Sequence, residues 1–287
     1  MASHTQVAPP AQSTVGAAAE QPGANPITGA MLAATTLWWR EVVRFYRQRS
    51  RVVGVIASPL LFWLVLGSGI GSSFRSGSGH GSENYLDYFF PGALVMIVLF
   101  TAIFAMMSLI EDRKEGFLLS VMVAPVNRSA IVLGKILGGT TLAALQGLIF
   151  LLIGLALGIK FTVPQFALIV LTVFLIAFSL TALGFAIAWP MDSTQGFHAI
   201  INLFLIPLWL LSGSLFPLNG ASGWIRLLIR ANPLTYGVEA LRMLLFPASA
   251  APEFPLGMSL SVLAAFSAVI FTVAFIVANR RTTRPVA

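Results

Sequence analysis

Long stretches with almost no polar residue alternate along this chain with short interruptions that hold most of its charge. The apolar runs reach the ~18–25 residues an α-helix needs to cross a ~30 Å hydrocarbon layer. They predict six spans, at 52–71, 89–110, 130–159, 163–189, 198–215 and 256–278. The pattern is that of an all-α integral membrane protein, and six crossings return the chain to the side on which it began.

Ahead of the first span, MLAATTLWWREVVRFYRQRS (31–50) repeats at helical spacing. Arg40, Arg44, Arg47 and Arg51 form one stripe and Trp39, Val42, Val43 and Tyr46 another, which predicts an amphipathic helix lying along the membrane with its Trp residues in the headgroup layer. Residues 1–26 are rich in Ala, Pro, Gln and Gly and cannot bury enough surface to fold. With neither a basic start nor an apolar core they are no secretory signal, and the expected disordered tail is drawn as 1–30.

Inside the spans, Pro59 is placed to kink the first helix, and the pairs Gly67 and Gly71, Gly134 and Gly138, and Gly154 and Gly158 allow close helix approach. Gln146, Thr140, Thr141, Asn202 and Thr181 are the main polar groups there; interhelical hydrogen bonding accounts for most, and Gln146 and Asn202 are candidates for lining a path. Residues 72–88 read as a solvated loop whose His80, Glu83 and Asp87 are too loosely held by glycines to make a metal site. Beyond the fifth span, two helical patterns at 222–230 and 234–246 are too short to cross and are separated by Asn232-Pro233. They predict a re-entrant hairpin in which Glu239 and Arg242 pair as i, i+3 neighbours.

Composition agrees with this reading: of 287 residues 57% are hydrophobic and 9% charged, with mean hydropathy +0.88. The net charge of +7 does not imply nucleic acid, because the cations cluster at span ends rather than on one soluble face. Arg40, Arg44, Arg47, Arg49, Arg51, Arg113, Lys114, Arg128, Lys135, Arg280, Arg281 and Arg284 fall on one side of the six-span scheme, and Arg75, Lys160, Arg226, Arg230 and Arg242 on the other. The excess makes the first side, with both termini, cytoplasmic and facing anionic lipid. Cysteine is absent, so no disulfide or thiolate metal site is expected.

The most informative segment follows the second span: EDRKEGFLLSVMVAPV, residues 111–126. A helix over 111–124, stopped by Pro125, would be apolar nearly all round in its second half yet too short to span, so it must bury itself in headgroups, under the bundle or on a partner. Glu111, Asp112 and Glu115 would keep this end out of the bilayer and offer carboxylates to a basic partner surface. Uphill transport needs energy, and the chain has no GxxxxGK[ST] phosphate loop; Gly134-Lys135 is followed by Ile136. Nor do carboxylates lie in series within the spans, as a proton-driven carrier would need.

An acidic cluster at the end of span two, Gly116, an apolar octet ending in Ala-Pro-Val, Gly134-Lys135 at the next span, and far downstream LSGSLFPL, a Trp and NPLTYGVEALR occur in that order. This arrangement resembles the permease subunit of type-2 ABC exporters, drug-resistance export permeases among them, over about residues 31–280, with 51–280 as the six-span domain and 281–287 as a cytosolic tail. The resemblance implies that 111–126 contains a coupling helix, carried by Glu111, Asp112, Glu115, Gly116, Phe117, Leu118 and Pro125, which docks on a cytosolic ATPase with the 31–50 helix beside it. It also implies two permease copies, identical or not, facing each other near spans one and five. Two ATPase subunits would hold ATP and Mg, no cofactor being bound by this chain. The hairpin, with Pro217, Trp224, Asn232, Pro233, Tyr236, Glu239 and Arg242, would cap the exit. The family often has acidic residues at the positions of Lys114 and Ser120, so the docking helix here is less acidic than usual.

Other classes fare less well. Ser212 or Ser214 with His198 would need contact at ~3 Å for hydrolytic chemistry, yet 14 to 16 residues of helix place them roughly 21–24 Å apart. A secondary carrier or channel stays open as an alternative, as does export of a polysaccharide or other polymer instead of a hydrophobic, drug-like or lipid-like molecule. The expected location is a bacterial plasma membrane.

Overall fold

The computed structural model describes residues 26–77, 85–123, 127–156, 158–216, 221–247 and 252–280, and among these every regular element is a helix. In chain order they are α1 (Pro26–Arg47), α2 (Arg49–Gly77), α3 (Tyr85–Lys114), α4 (Phe117–Val123), α5 (Arg128–Ala156), α6 (Val163–Ala188), α7 (Thr194–Trp209), α8 (Gly223–Ala231), α9 (Pro233–Leu245) and α10 (Leu256–Asn279). A π-helical turn, Leu210–Ser214, prolongs α7.

Five stretches are long and apolar enough to cross a membrane: Tyr85–Lys114, Arg128–Ala156, Val163–Ala188, Thr194–Ser214 and Leu256–Asn279. They overlie the second to sixth predicted spans. The first predicted span falls in α2, whose apolar part is the shorter stretch Ile56–Gly69. Pro59 lies inside α2, and its position is buried.

Three boundaries differ from the sequence reading. α1 opens at Pro26 rather than Met31, as suits proline in a first helical turn, where a missing N–H removes no hydrogen bond. Of the predicted loop 72–88, residues 72–77 belong to α2 and 85–88 to α3, and residues 78–84 lie outside the described residues. Instead of one helix over 111–124, residues 111–114 complete α3, Glu115 and Gly116 turn, and α4 begins at Phe117. Gly116 makes this break with φ of +76°, a left-handed conformation open to glycine at little cost.

Helix α3 is the central post. It is apolar all round, and its neighbours α2, α5, α6 and α9 cover it, so that Phe89, Leu94, Ile97, Ile103 and Met106 are fully enclosed. Helix α10 stands outermost, packed on α6 and α9, and leaves Val269, Val273 and Ile276 exposed as a lipid-facing helix should. Where α7 passes α3, the Trp209 indole donates to the Gly92 carbonyl at 2.9 Å. Two ends of the bundle result: one gathers α1, the end of α3, α4, the start of α5 and the α6 to α7 turn, and the other carries α8 and α9.

Candidate functional site

At the first end, α1 does more than lie on a surface. A Cβ at Gly134 would sit 2.7 Å from the Ala34 carbonyl oxygen, and one at Gly138 would sit 2.8 Å from Glu41 Cβ, so this glycine pair of α5 is what admits α1. The Trp38 indole donates to Thr141 Oγ1 at 3.0 Å. The buried stripe of α1 is therefore Leu37, Glu41 and Phe45, whereas Trp39 and Tyr46 of the expected apolar stripe remain exposed.

Glu41 is buried in this contact, as are Ser108, Asp112 and Lys135. Lys135 donates to both Glu41 and Asp112, and to Ser108 Oγ at 3.3 Å, while Ser108 Oγ lies 2.6 Å from Glu41. Arg40 grips Asp112 with both terminal nitrogens at 2.9 and 2.6 Å, and Arg44 bridges Asp112 at 2.6 Å and Glu111 at 2.8 Å. The hydrogen bonds to Asp112, foremost, hold the Arg40 guanidinium above its ordinary pKa. Buried charges of one sign would be prohibitive; here three cations meet three carboxylates with most lone pairs and protons satisfied.

Helix α4 hangs from this cluster. The Arg40 guanidinium lies 3.6 Å from the centre of the Phe117 ring, close enough for a cation–π contact. Leu118 is buried, Phe117 half-buried, Ser120 exposed, and Glu115 is 63% exposed with Arg44 at 3.9 Å. Beside it, Arg113 of α3 donates to the carbonyls of Trp189 and, at 2.8 Å, Met191, and pairs with Asp192 at 3.2 Å, which ties down the α6 to α7 turn.

The opposite end is built on backbone groups that α7 cannot pair itself. Pro207 and the π-helical turn, with Gly213 at φ of +73°, break its hydrogen-bond ladder. Asn232, between α8 and α9, donates to the carbonyls of Leu208 at 2.5 Å and Leu211 at 2.9 Å, and its Oδ1 caps α9 at Leu234 N, 3.0 Å away. The Gly213 carbonyl receives Arg242 at 2.9 Å and the Tyr88 hydroxyl at 3.0 Å. Glu239 accepts from Arg242 at 3.0 Å and from the Glu253 backbone at 3.2 Å, and Tyr236 donates to the Arg230 carbonyl at 2.9 Å. Pro233 opens α9, and Trp224 of α8 is exposed.

The predicted site residues thus fall into two groups at opposite ends. Asp112 corrects the expectation of a partner-facing carboxylate: it is fully buried because three cations surround it, and Glu111 is tied to Arg44, which leaves Glu115 as the outward-facing acid of the three. Carboxylates do lie buried among the helices, at Glu41 and Asp112, but at one end and charge-paired rather than in series. Gln146 is buried, accepting from Thr101 at 2.7 Å, while Asn202 is exposed on α7. Pro125, Pro217, His80 and Glu83 lie outside the described residues. His198 packs on Phe104 towards the start of α7, far along the helix from Ser212 and Ser214. Arg40, Glu41, Arg44, Ser108 and Lys135 were not foreseen as site residues; the usable signal was Glu41, a lone carboxylate between Leu37 and Phe45 at i, i±4 spacing.

An all-helical, multi-pass membrane protein with a charge-locked helix at one end and a pair of short helices at the other is the class these observations define. The ABC-2 type transporter family model matches residues 33–246, and the chain belongs to that family, whose membrane subunits lack an ATPase domain of their own and typically work with an ATPase subunit. It is 29% identical to a putative transport permease, ycf38, of Cyanophora paradoxa over 71% of each chain. It is 27% identical, over 78% of each chain, to the daunorubicin resistance ABC transporter permease protein DrrB1 of Streptomyces coeruleorubidus. It is also 26% identical to the probable doxorubicin resistance ABC transporter permease protein DrrC of Mycobacterium tuberculosis, over 77% of this chain and 80% of that one.

Proposed function

We propose that this chain is the permease half of an ATP-driven exporter in a bacterial plasma membrane, with α2 as a sixth span and both termini cytoplasmic. The observation that carries the reading is α4: a short apolar helix hinged at Gly116 beyond the end of a span, with Glu115 turned outward beside it. Two cytosolic ATPase subunits holding ATP and Mg would engage α4 of two permease chains. Exposed Leu61 and Val65 of α2 and Leu203 and Phe204 of α7 offer apolar faces to a second copy or a sister chain. The α8 to α9 hairpin then covers the exit, with Gln146 and Asn202 as candidate path residues.

The cargo is a hydrophobic or amphiphilic drug-like or lipid-like molecule, a reading supported by the relatives named for daunorubicin and doxorubicin resistance. The test is affinity purification from native membranes in mild detergent. A stoichiometric companion bearing a phosphate-binding loop, lost in Glu115→Ala/Phe117→Ala, is the expected result; a preparation without any ATPase sinks the proposal in favour of a carrier or channel. Drug tolerance of cells with and without the permease reads the cargo, and unchanged tolerance with loss of a surface polymer would point to polymer export.

A further inference from the structure

The cluster around Asp112 has a geometry that charge neutralisation alone does not require. Arg40 would neutralise Asp112 from any direction, yet its guanidinium carbon lies over the Phe117 ring, 3.6 Å from its centre, while both terminal nitrogens reach the carboxylate. One planar group therefore joins three elements: α1, which carries it, α3, which carries Asp112, and α4, which carries Phe117. Asp112 is bound in turn by Lys135 of α5, which also binds Glu41 of α1, so the fourth element is locked to the first three. Only Glu115 and Gly116 connect α3 to α4, and Gly116 is in the left-handed region, so the backbone there does little to fix the angle between the two helices. The Arg40 to Phe117 contact supplies that restraint from the side.

We infer that Arg40 is a positioning residue for energy coupling: it clamps α4 through Phe117 and joins it, by way of Asp112 and Lys135, to α3 and α5, so that a push on α4 moves these helices together rather than bending the Gly116 hinge. This rests on α4 being the ATPase contact, as proposed above. Lysine cannot replace arginine here, because an ammonium group offers neither a two-pronged grip nor a flat face for stacking. Phe117→Leu keeps the apolar burial and removes the ring. The two substitutions act on one contact, and their effects on coupling are non-additive.

The chain has no cysteine, and Ser120 on α4 is exposed, so Ser120→Cys gives a single site for a nitroxide label. With the permease alone in lipid nanodiscs, Arg40→Lys and Phe117→Leu should each add a mobile component to the spectrum of a label that is otherwise immobilised. With the ATPase bound, Arg40→Lys should hydrolyse ATP at the normal rate while cargo moved per ATP falls by about tenfold, the population shift expected from losing one charge-assisted hydrogen bond. A label whose motion is unchanged in both variants overturns the clamp, whatever the ATPase does. Greater motion with unchanged cargo per ATP overturns the role in coupling. A wild-type permease that recruits no ATPase overturns the coupling role together with the proposed function, and the label spectra then report the clamp alone.

Discussion

Asn232 and Leu208 lie 24 positions apart, and the amide nitrogen of the first reaches the carbonyl of the second at 2.5 Å, the same nitrogen also meeting the carbonyl of Leu211. A side chain from the hairpin thus completes the hydrogen bonding of a neighbouring helix where a π-helical turn has disrupted it. Asn232 is buried, so water is a poor substitute.

Asn232→Ala should therefore destabilise the protein by ~1–3 kcal/mol for each buried group left unpaired. Asn232→Asp should do no better, because a carboxylate cannot donate to a carbonyl. Thermal unfolding in detergent measures both, and a stable Asp variant would refute the donor role.

Tyr88→Phe supplies the contrast. It removes one of the two donors to the Gly213 carbonyl and leaves Arg242 in place, so a loss of about 1 kcal/mol or less is expected in the same assay. A loss equal to that of Asn232→Ala would mean that the hydroxyl holds the turn as strongly as the amide does.

Lys135→Met removes the hydrogen-bonded cation of buried Glu41 and one of the three on Asp112, for which ~3–5 kcal/mol of destabilisation is expected. Lys135→Met/Glu41→Gln restores the balance of charge, since Arg40 and Arg44 still face Asp112 and Glu111, and should regain most of that loss. Denaturant titration of the two variants decides; equal losses would show that Lys135 acts by packing.

Gly134→Val pushes a side chain into the carbonyl oxygen of Ala34, a backbone atom with no rotamer to change. Overpacking of this kind costs ~1–3 kcal/mol, and the relief available is for α1 to lift from α5. Faster tryptic cleavage after the exposed Arg47 reads that movement, and an unchanged digestion rate argues that the helices tolerate the methyl groups.

The helices and the hairpin were legible because their signals are local. Runs of apolar residues marked five spans to within a few positions, and Asn232-Pro233 marked the turn between α8 and α9. The stretch after span two read as one helix because its apolar half continues the charged half without a polar gap; Gly116 was the breaker, and its φ is a property of the turn rather than of the pattern. The ion cluster was not legible, because Arg40, Glu41, Ser108, Asp112 and Lys135 come from three segments, and each is plausible alone as a membrane-surface charge or a span-end hydroxyl. Counting Arg40 and Arg44 as a headgroup stripe followed from their spacing; only the approach of α3 gave them carboxylates.

The same cluster sets an order on biogenesis. In the orientation proposed, Arg40, Arg44 and Lys135 count among the cations that retain the inner segments during insertion, which requires them to be charged and unpaired with the chain still extended. In the folded protein they are half of a neutral assembly, and the contact of Lys135 with Glu41 closes a loop of 94 positions. The groups that orient the nascent chain are thus paired once α1 docks on α5, so the addressing signal is erased by the same contact that seats the first helix.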